Sequence, residues 1–262
     1  MGNIHFGPAA LGSVKDAIET LEKYASMGFK ACEISFTHGV YIKEKNDALK
    51  IGEAAKRLGI QLSIHAPYFI NLNSDDKEKL ENSKKRILKC LEFGTYLGAK
   101  YVVFHPGFYG KMEKSETYEN IKNAILDIQR VREEKKYTPK LAPEIMGKIN
   151  VFGSIDEISQ LVRDTKCHAC IDFAHVLARY QGDYKFKETL EEFKGLTELH
   201  IHFSGIEYGE KGERKHKKTE KSEWEQLLKA LPKDKKIFIV NESPYMVEDS
   251  LEGLKLANKL KI

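Results

Sequence analysis

The chain has 262 residues, of which 41% are hydrophobic and 31% charged, with a formal net charge of +4. This balance suits one large α/β domain spanning residues 1–262, since no Pro/Gly/Ser-rich linker divides it, and it permits a polyanionic partner without demanding one. No uncharged apolar stretch reaches the roughly 20 residues that cross a bilayer, and Met1-Gly2-Asn3-Ile4-His5-Phe6 lacks the basic start and apolar core of a secretory leader, so a cytoplasmic protein is expected.

In chain order, strand-like runs alternate with helical ones, the mark of repeated βα units. The first strand is expected at 4–7, followed by a helix over 14–27 with Ala17, Ile18, Leu21 and Ala25 on one stripe. A strand at 31–36 leads to a helix at 48–58, and Leu62 to His65 forms a third strand. Ser74-Asp75-Asp76 then supplies N-cap candidates for a long helix ending at Leu97. Lys100-Tyr101-Val102-Val103-Phe104-His105 reads as a strand buried on both faces, which Pro106 stops at His105. Its helix covers 118–135. A fifth strand is expected at 141–145, and Ser154 and Glu157 have the spacing of a capping box at the head of the next helix. Strands at 169–173, 198–203 and 237–241 and a final helix at 248–260 complete the pattern. Eight such units close most simply into a (β/α)8 TIM barrel. A doubly wound sheet would want a glycine-rich phosphate loop, and Phe6-Gly7-Pro8-Ala9-Ala10-Leu11-Gly12 is not one.

The four cysteines, Cys32, Cys90, Cys167 and Cys170, are too few for a disulfide framework. Cys167 and Cys170 have CxxC spacing, but the second pair of a zinc ribbon is missing and the segment runs into an apolar strand. A structural role is expected for them.

The carboxyl ends of the later strands carry the chemistry. They finish on His65, on His105, on Glu144, on Asp172 with His175 just beyond, on His200 and His202, and on Glu242. In a barrel these ends converge on one opening. Solvated strand ends would show a mixture of polar residues, whereas imidazoles and carboxylates crowded together are costly unless a cation neutralises them. Nitrogen and oxygen donors of this kind suit Zn2+, with Mn2+ or Fe2+ as alternatives. The donors outnumber the four to six that one ion takes, so two or three ions sharing a carboxylate are expected. Two-metal sites are common equipment for phosphate-ester hydrolysis.

Ser63-Ile64-His65-Ala66-Pro67-Tyr68-Phe69-Ile70-Asn71-Leu72, the His105-Pro106-Gly107 strand end, Glu144, Cys170-Ile171-Asp172-Phe173-Ala174-His175 and Asn241-Glu242-Ser243-Pro244 resemble the endonuclease IV family of apurinic/apyrimidinic endonucleases, which are xylose-isomerase-like TIM barrels. Pro143-Glu144-Ile145-Met146-Gly147-Lys148 is similar to archaeal members. The resemblance implies a zinc-dependent enzyme of DNA repair, expected as a monomer, that hydrolyses the phosphodiester 5′ to an abasic site in double-stranded DNA. It assigns His65 and His105 to a first zinc, Glu144 as a bridge, Asp172, His202 and Glu242 to a second zinc, and His175 with His216 to a third. Glu144 and Glu242 would be catalytic, and Tyr68 would meet the DNA near the extruded nucleotide. In the family the third ion also takes the aspartate of an Asp-x-His pair. Here Arg214 stands at that place, with Glu213 beside it, which puts the third ion in question. The charged loop from Lys211 to Lys221 places Arg214 and Lys215 as phosphate contacts. His200 is expected behind the metal site rather than in it. Two rival readings share the barrel: a single-metal sugar isomerase or epimerase, for which Glu144, Asp172, His202 and Glu242 would suffice, and a catalytically silent DNA-binding barrel.

Overall fold

The computed structural model describes residues 3–261. Met1, Gly2 and Ile262, the ends of the expected domain and of the expected leaderless start, lie outside the described residues. The first half comprises β1 (Ile4–Pro8), α1 (Ala17–Ser26), β2 (Ala31–Ser35), α2 (Lys45–Leu58), β3 (Gln61–His65), α3 (Lys77–Leu97), β4 (Tyr101–Phe104) and α4 (Lys114–Glu134). The second comprises β5 (Lys140–Pro143), α5 (Ile155–Thr165), β6 (Cys170–Asp172), α6 (Phe173–Arg179), α7 (Phe186–Glu192), β7 (Glu198–Phe203), β8 (Gly205–Gly209), β9 (Gly212–Lys217), α8 (Lys221–Ala230), β10 (Lys236–Asn241) and α9 (Met246–Leu260).

Eight of the strands form a TIM barrel. They pair in parallel in the orders β2-β3-β4-β5 and β1-β10-β7-β6, and two narrow seams join these arcs. At one seam Lys30 N–H donates to Phe6 C=O at 3.1 Å, and β1 approaches β2 so closely that a Cβ on Gly7 would lie 1.6 Å from the Ala31 carbonyl oxygen. Only glycine fits there. At the other seam Glu144 forms a parallel bridge with Cys170, and Ile145 N–H donates to Cys170 C=O at 3.1 Å.

Local signals set the helix limits. Asp76 caps α3 by accepting from the N–H groups of Glu78 and Lys79, and Gly98 ends it in the left-handed conformation. Ser154 and Glu157 form the expected reciprocal capping box on α5. The barrel wall is sealed by a continuous apolar core in which Trp224 packs against Phe6 and Phe203. No described helix is long and apolar enough to cross a membrane.

Three expectations are corrected. The fourth strand stops at Phe104, so His105 stands one residue past the ladder, and Glu144 likewise follows rather than belongs to β5. His105 sits where the backbone has just left the sheet, whereas Glu144 keeps a single bridge, to Cys170 of β6. The segment read as a charged loop, Lys211 to Lys221, instead folds through Gly212–Lys217 as the second strand of an antiparallel hairpin with β8.

Candidate metal centre

Glu144 is wholly buried and stands at the centre of the mouth. Its Oε2 meets Nε2 of His65 at 3.3 Å and Nε2 of His105 at 3.0 Å. Its Oε1 faces the opposite way, 2.9 Å from Nδ1 of His202, which also lies 3.2 Å from Oε2 of Glu242. One carboxylate is thus divided between two groups of donors. His65, His105 and Glu144 form one set, and Glu144, Asp172, His202 and Glu242 form another, each with its donor atoms within 4.8 Å of one another.

A third set, His175, Glu213 and His216, lies beside them. In a regular strand, residues three apart point to opposite faces, so Glu213 and His216 would not meet. A register shift between Glu207 and Tyr208 opposite leaves Arg214 as the extra residue of a β-bulge, since Lys215 pairs with Glu207 while Glu213 pairs with Tyr208. The bulge returns Glu213 to the face of His216, and its Oε2 lies 3.4 Å from Nε2 of His175. Glu213, not Arg214, therefore occupies the acidic place, and Arg214 is exposed beside Gly209. Lys215 is also exposed and pairs with Glu207 at 3.3 Å.

The imidazoles are oriented for binding a cation. Nδ1–H of His65 donates to Ala66 C=O at 2.8 Å and Nδ1–H of His175 to Ile145 C=O at 2.9 Å, which leaves Nε2 of each directed at the donor groups. Asp172 holds the start of α6 by accepting from His175 N–H at 2.8 Å through Oδ1. Its Oδ2 and the Nε2 of His175 are buried without a hydrogen-bond partner. Orphaned polar atoms of this kind are expensive, and a divalent cation in each of the two sets would satisfy them.

In the metal-free protein protons do part of that work. Burial favours neutral His65, but its hydrogen bond to Glu144 and the charge of that group outweigh burial and raise its pKa to about 9. His175 is likewise raised to about 9, against burial, by Asp172 and Glu213. Burial pushes Asp172 up to about 7, and at Glu242 the charge of His202 overcomes burial and lowers the pKa to about 2.

Beneath this layer sits a carboxylate that sequence reading missed. Glu33, fully buried on β2, places Oε1 3.1 Å from Nε2 of His202 and Oε2 3.3 Å from Nε2 of His200, and Ser63 donates to Oε2 at 2.8 Å. His200 therefore supports the site from below, although its side chain, with Cys170 and His202, also meets the distance condition for a donor group. The signal in the sequence was an acid inside the apolar run Ala31-Cys32-Glu33-Ile34-Ser35, a position that has to be paired when buried.

The sets open into a cavity of about 300 Å3, lined also by Tyr68, Ile70, Phe108, Met146, Lys148 and Val151. Tyr68 is 52% exposed and lays its ring 5.4 Å from those of His65 and His105.

A family model described as "Xylose isomerase-like TIM barrel" matches residues 21–258. The chain belongs to that family. It is 37% identical over 269 residues to an uncharacterized protein of Methanocaldococcus jannaschii, covering 97% of each chain. It is also 30% identical over 151 residues to a probable endonuclease 4 of Aquifex aeolicus, an alignment spanning 55% of this chain and 51% of that one. Among solved structures, endonuclease IV of Thermus thermophilus superposes with a TM-score of 0.71 at 21% identity, covering 97% of this chain and 98% of that one. A D-tagatose 3-epimerase-like protein also gives 0.71 at 21% identity, covering 97% and 96%. The fold is thus shared to the same extent with an endonuclease IV and with an epimerase-like protein.

Proposed function

We propose that the protein is a multi-metal phosphodiesterase that cleaves DNA 5′ to abasic sites. The observation that carries this reading is the divided Glu144 carboxylate, with His65 and His105 on one oxygen and His202 on the other. A one-metal sugar enzyme has no use for His65, His105, Glu213 and His216, whereas in-line displacement at phosphorus gains from cations on both the attacking and the leaving oxygen. The similarity to probable endonuclease 4 supports the substrate.

His65, His105 and Glu144 would hold a first ion. Glu144, Asp172, His202 and Glu242 would hold a second, and His175, Glu213 and His216 a third. Zn2+ suits these donors, and when bound such ions supply Lewis acidity and make water a nucleophile at neutral pH. The protein's own share is geometric. Glu144 and Glu242 orient the attacking water, while the apolar wall of Ile70, Phe108 and Val151 limits solvent in the cavity. Tyr68 offers an exposed ring at its edge, suited to the duplex beside the sugar. A missing base lowers the cost of extruding that sugar, because no stacking or pairing is lost with it.

The test is nicking of depurinated plasmid with and without chelator, together with Glu242→Gln. Metal-dependent nicking that the substitution abolishes while binding to abasic duplex persists is the expected result. Intact plasmid after incubation with metal-loaded wild-type protein, or full activity in the variant, contradicts the reading.

A further inference from the structure

Lys148 is the one lysine or arginine among the residues lining the cavity. The segment that carries it, between β5 and α5, is pinned from two sides. On one side Arg179 of α6 donates through one guanidinium nitrogen to the carbonyls of Lys148 at 2.7 Å, Met146 at 3.2 Å and Val151 at 3.2 Å. On the other the β8–β9 hairpin docks against it: Glu213 N–H donates to Gly147 C=O and Ile149 N–H to Lys211 C=O, both at 3.2 Å, and Lys148 bridges Gly212. The approach is too close for larger residues, since a Cβ on Gly147 would lie 2.7 Å from Cβ of Glu213.

The side chain is free where the backbone is fixed. Lys148 is exposed and forms no ion pair among the described residues, whereas Glu144 and Glu213 face imidazoles. An ammonium held at the edge of a ring of metal donors, with no acid of its own, fits an anionic group of the substrate. A neutral sugar offers it hydroxyl acceptors but no countercharge. We propose that Lys148 binds a phosphate of the DNA backbone at the reaction site and that Arg179 is the positioning residue that holds it over the cavity. The proposal rests on the phosphodiesterase reading and sharpens it, because it assigns substrate recognition to a charge rather than to the metal donors. Lysine serves phosphate as a compact point charge, and arginine's several donors suit the clamp on carbonyls.

The experiment measures binding of a duplex carrying a tetrahydrofuran abasic analogue, in the Glu242→Gln background so that it is not cut, across a salt series. Lys148→Ala is expected to weaken binding by about tenfold at moderate salt and to reduce the slope of log K against log salt by about one, the signature of one lost phosphate contact. Lys148→Arg is expected to restore the slope, zinc content is expected to stay at that of the Glu242→Gln protein in both variants, and Arg179→Met is expected to weaken binding in the same direction. Unchanged affinity and slope in Lys148→Ala, with wild-type protein nicking abasic DNA, overturns this inference alone. Wild-type protein that neither binds nor nicks the duplex overturns it together with the phosphodiesterase reading.

Discussion

Glu33 and His202 stand 3.1 Å apart, carboxylate Oε1 to imidazole Nε2, both fully buried and on strands that do not adjoin. The two atoms are at ion-pair distance without the alignment of a hydrogen bond, so the Glu33 charge acts on the lower edge of the His202 ring while Nδ1 meets Glu144 and Glu242 above. A carboxylate behind an imidazole makes the ring a better donor.

Glu33→Gln keeps the shape and removes the charge. It is expected to loosen zinc by about tenfold or more while the barrel stays folded. Competition with a chromophoric chelator measures this, and unchanged affinity would show that the charge does not act on the ligand.

Glu213→Ala should cost the protein one bound ion and leave the other sets loaded, whereas Arg214→Ala should leave the metal content unchanged. The bulge makes Glu213 the acid that faces His175, with Arg214 outside. Loss of an ion in the arginine variant would instead place the bulged residue in the site.

Protons and cations compete for the same cluster, which sets a pH dependence. His65 and His175 have pKa values raised to about 9 in the metal-free fold, against an ordinary value near 6.5. A histidine raised on folding contributes stability that is fully present below its unfolded value and is lost as pH rises through the folded value. Asp172, raised to about 7, acts in the same direction between about 3.8 and 7. The melting temperature of the chelator-treated protein should therefore fall between about pH 6.5 and 9. Zinc, replacing those protons, should flatten the decline, because its ligands have to be deprotonated. Calorimetry at both pH values, with and without metal, reads this directly.

The seam between β1 and β2 offers a stability test. Gly7→Ala sets a methyl group against the Ala31 carbonyl, and the strands have to part to admit it. A loss of about 3 kcal/mol or more is expected, beyond ordinary overpacking, because the obstacle is backbone and not a side chain that can turn away. Urea unfolding checks it, and a loss below about 1 kcal/mol would mean the seam yields easily.

The barrel was legible because strand and helix signals alternate with little interruption, and because proline and glycine punctuate them at Pro106, Gly59 and Gly98. The residues of the mouth stood out because His65, His105, Asp172 and Glu242 fall at or just past strand ends, where a histidine or acid is conspicuous. Glu33 did not stand out, since it lies mid-strand and its imidazole partners are contributed by β7, remote in sequence. In the third donor set His175 and His216 were legible, but whether Glu213 supplied the acid was not, for a different reason. A bulge shifts which residue faces inward, and the pairing that creates it depends on Glu207 and Tyr208 of the opposing strand rather than on anything local to Arg214.

The central claim is that the buried acids and imidazoles of the mouth are reconciled by several cations at once. Its most direct test is the number of zinc ions per chain, by elemental analysis of protein that has been loaded with metal, desalted and quantified by amino-acid analysis. The account predicts three, with loss of one in Glu213→Ala. A single ion per chain, unaffected by replacing His65 and His105, would contradict it and favour the one-metal sugar enzyme.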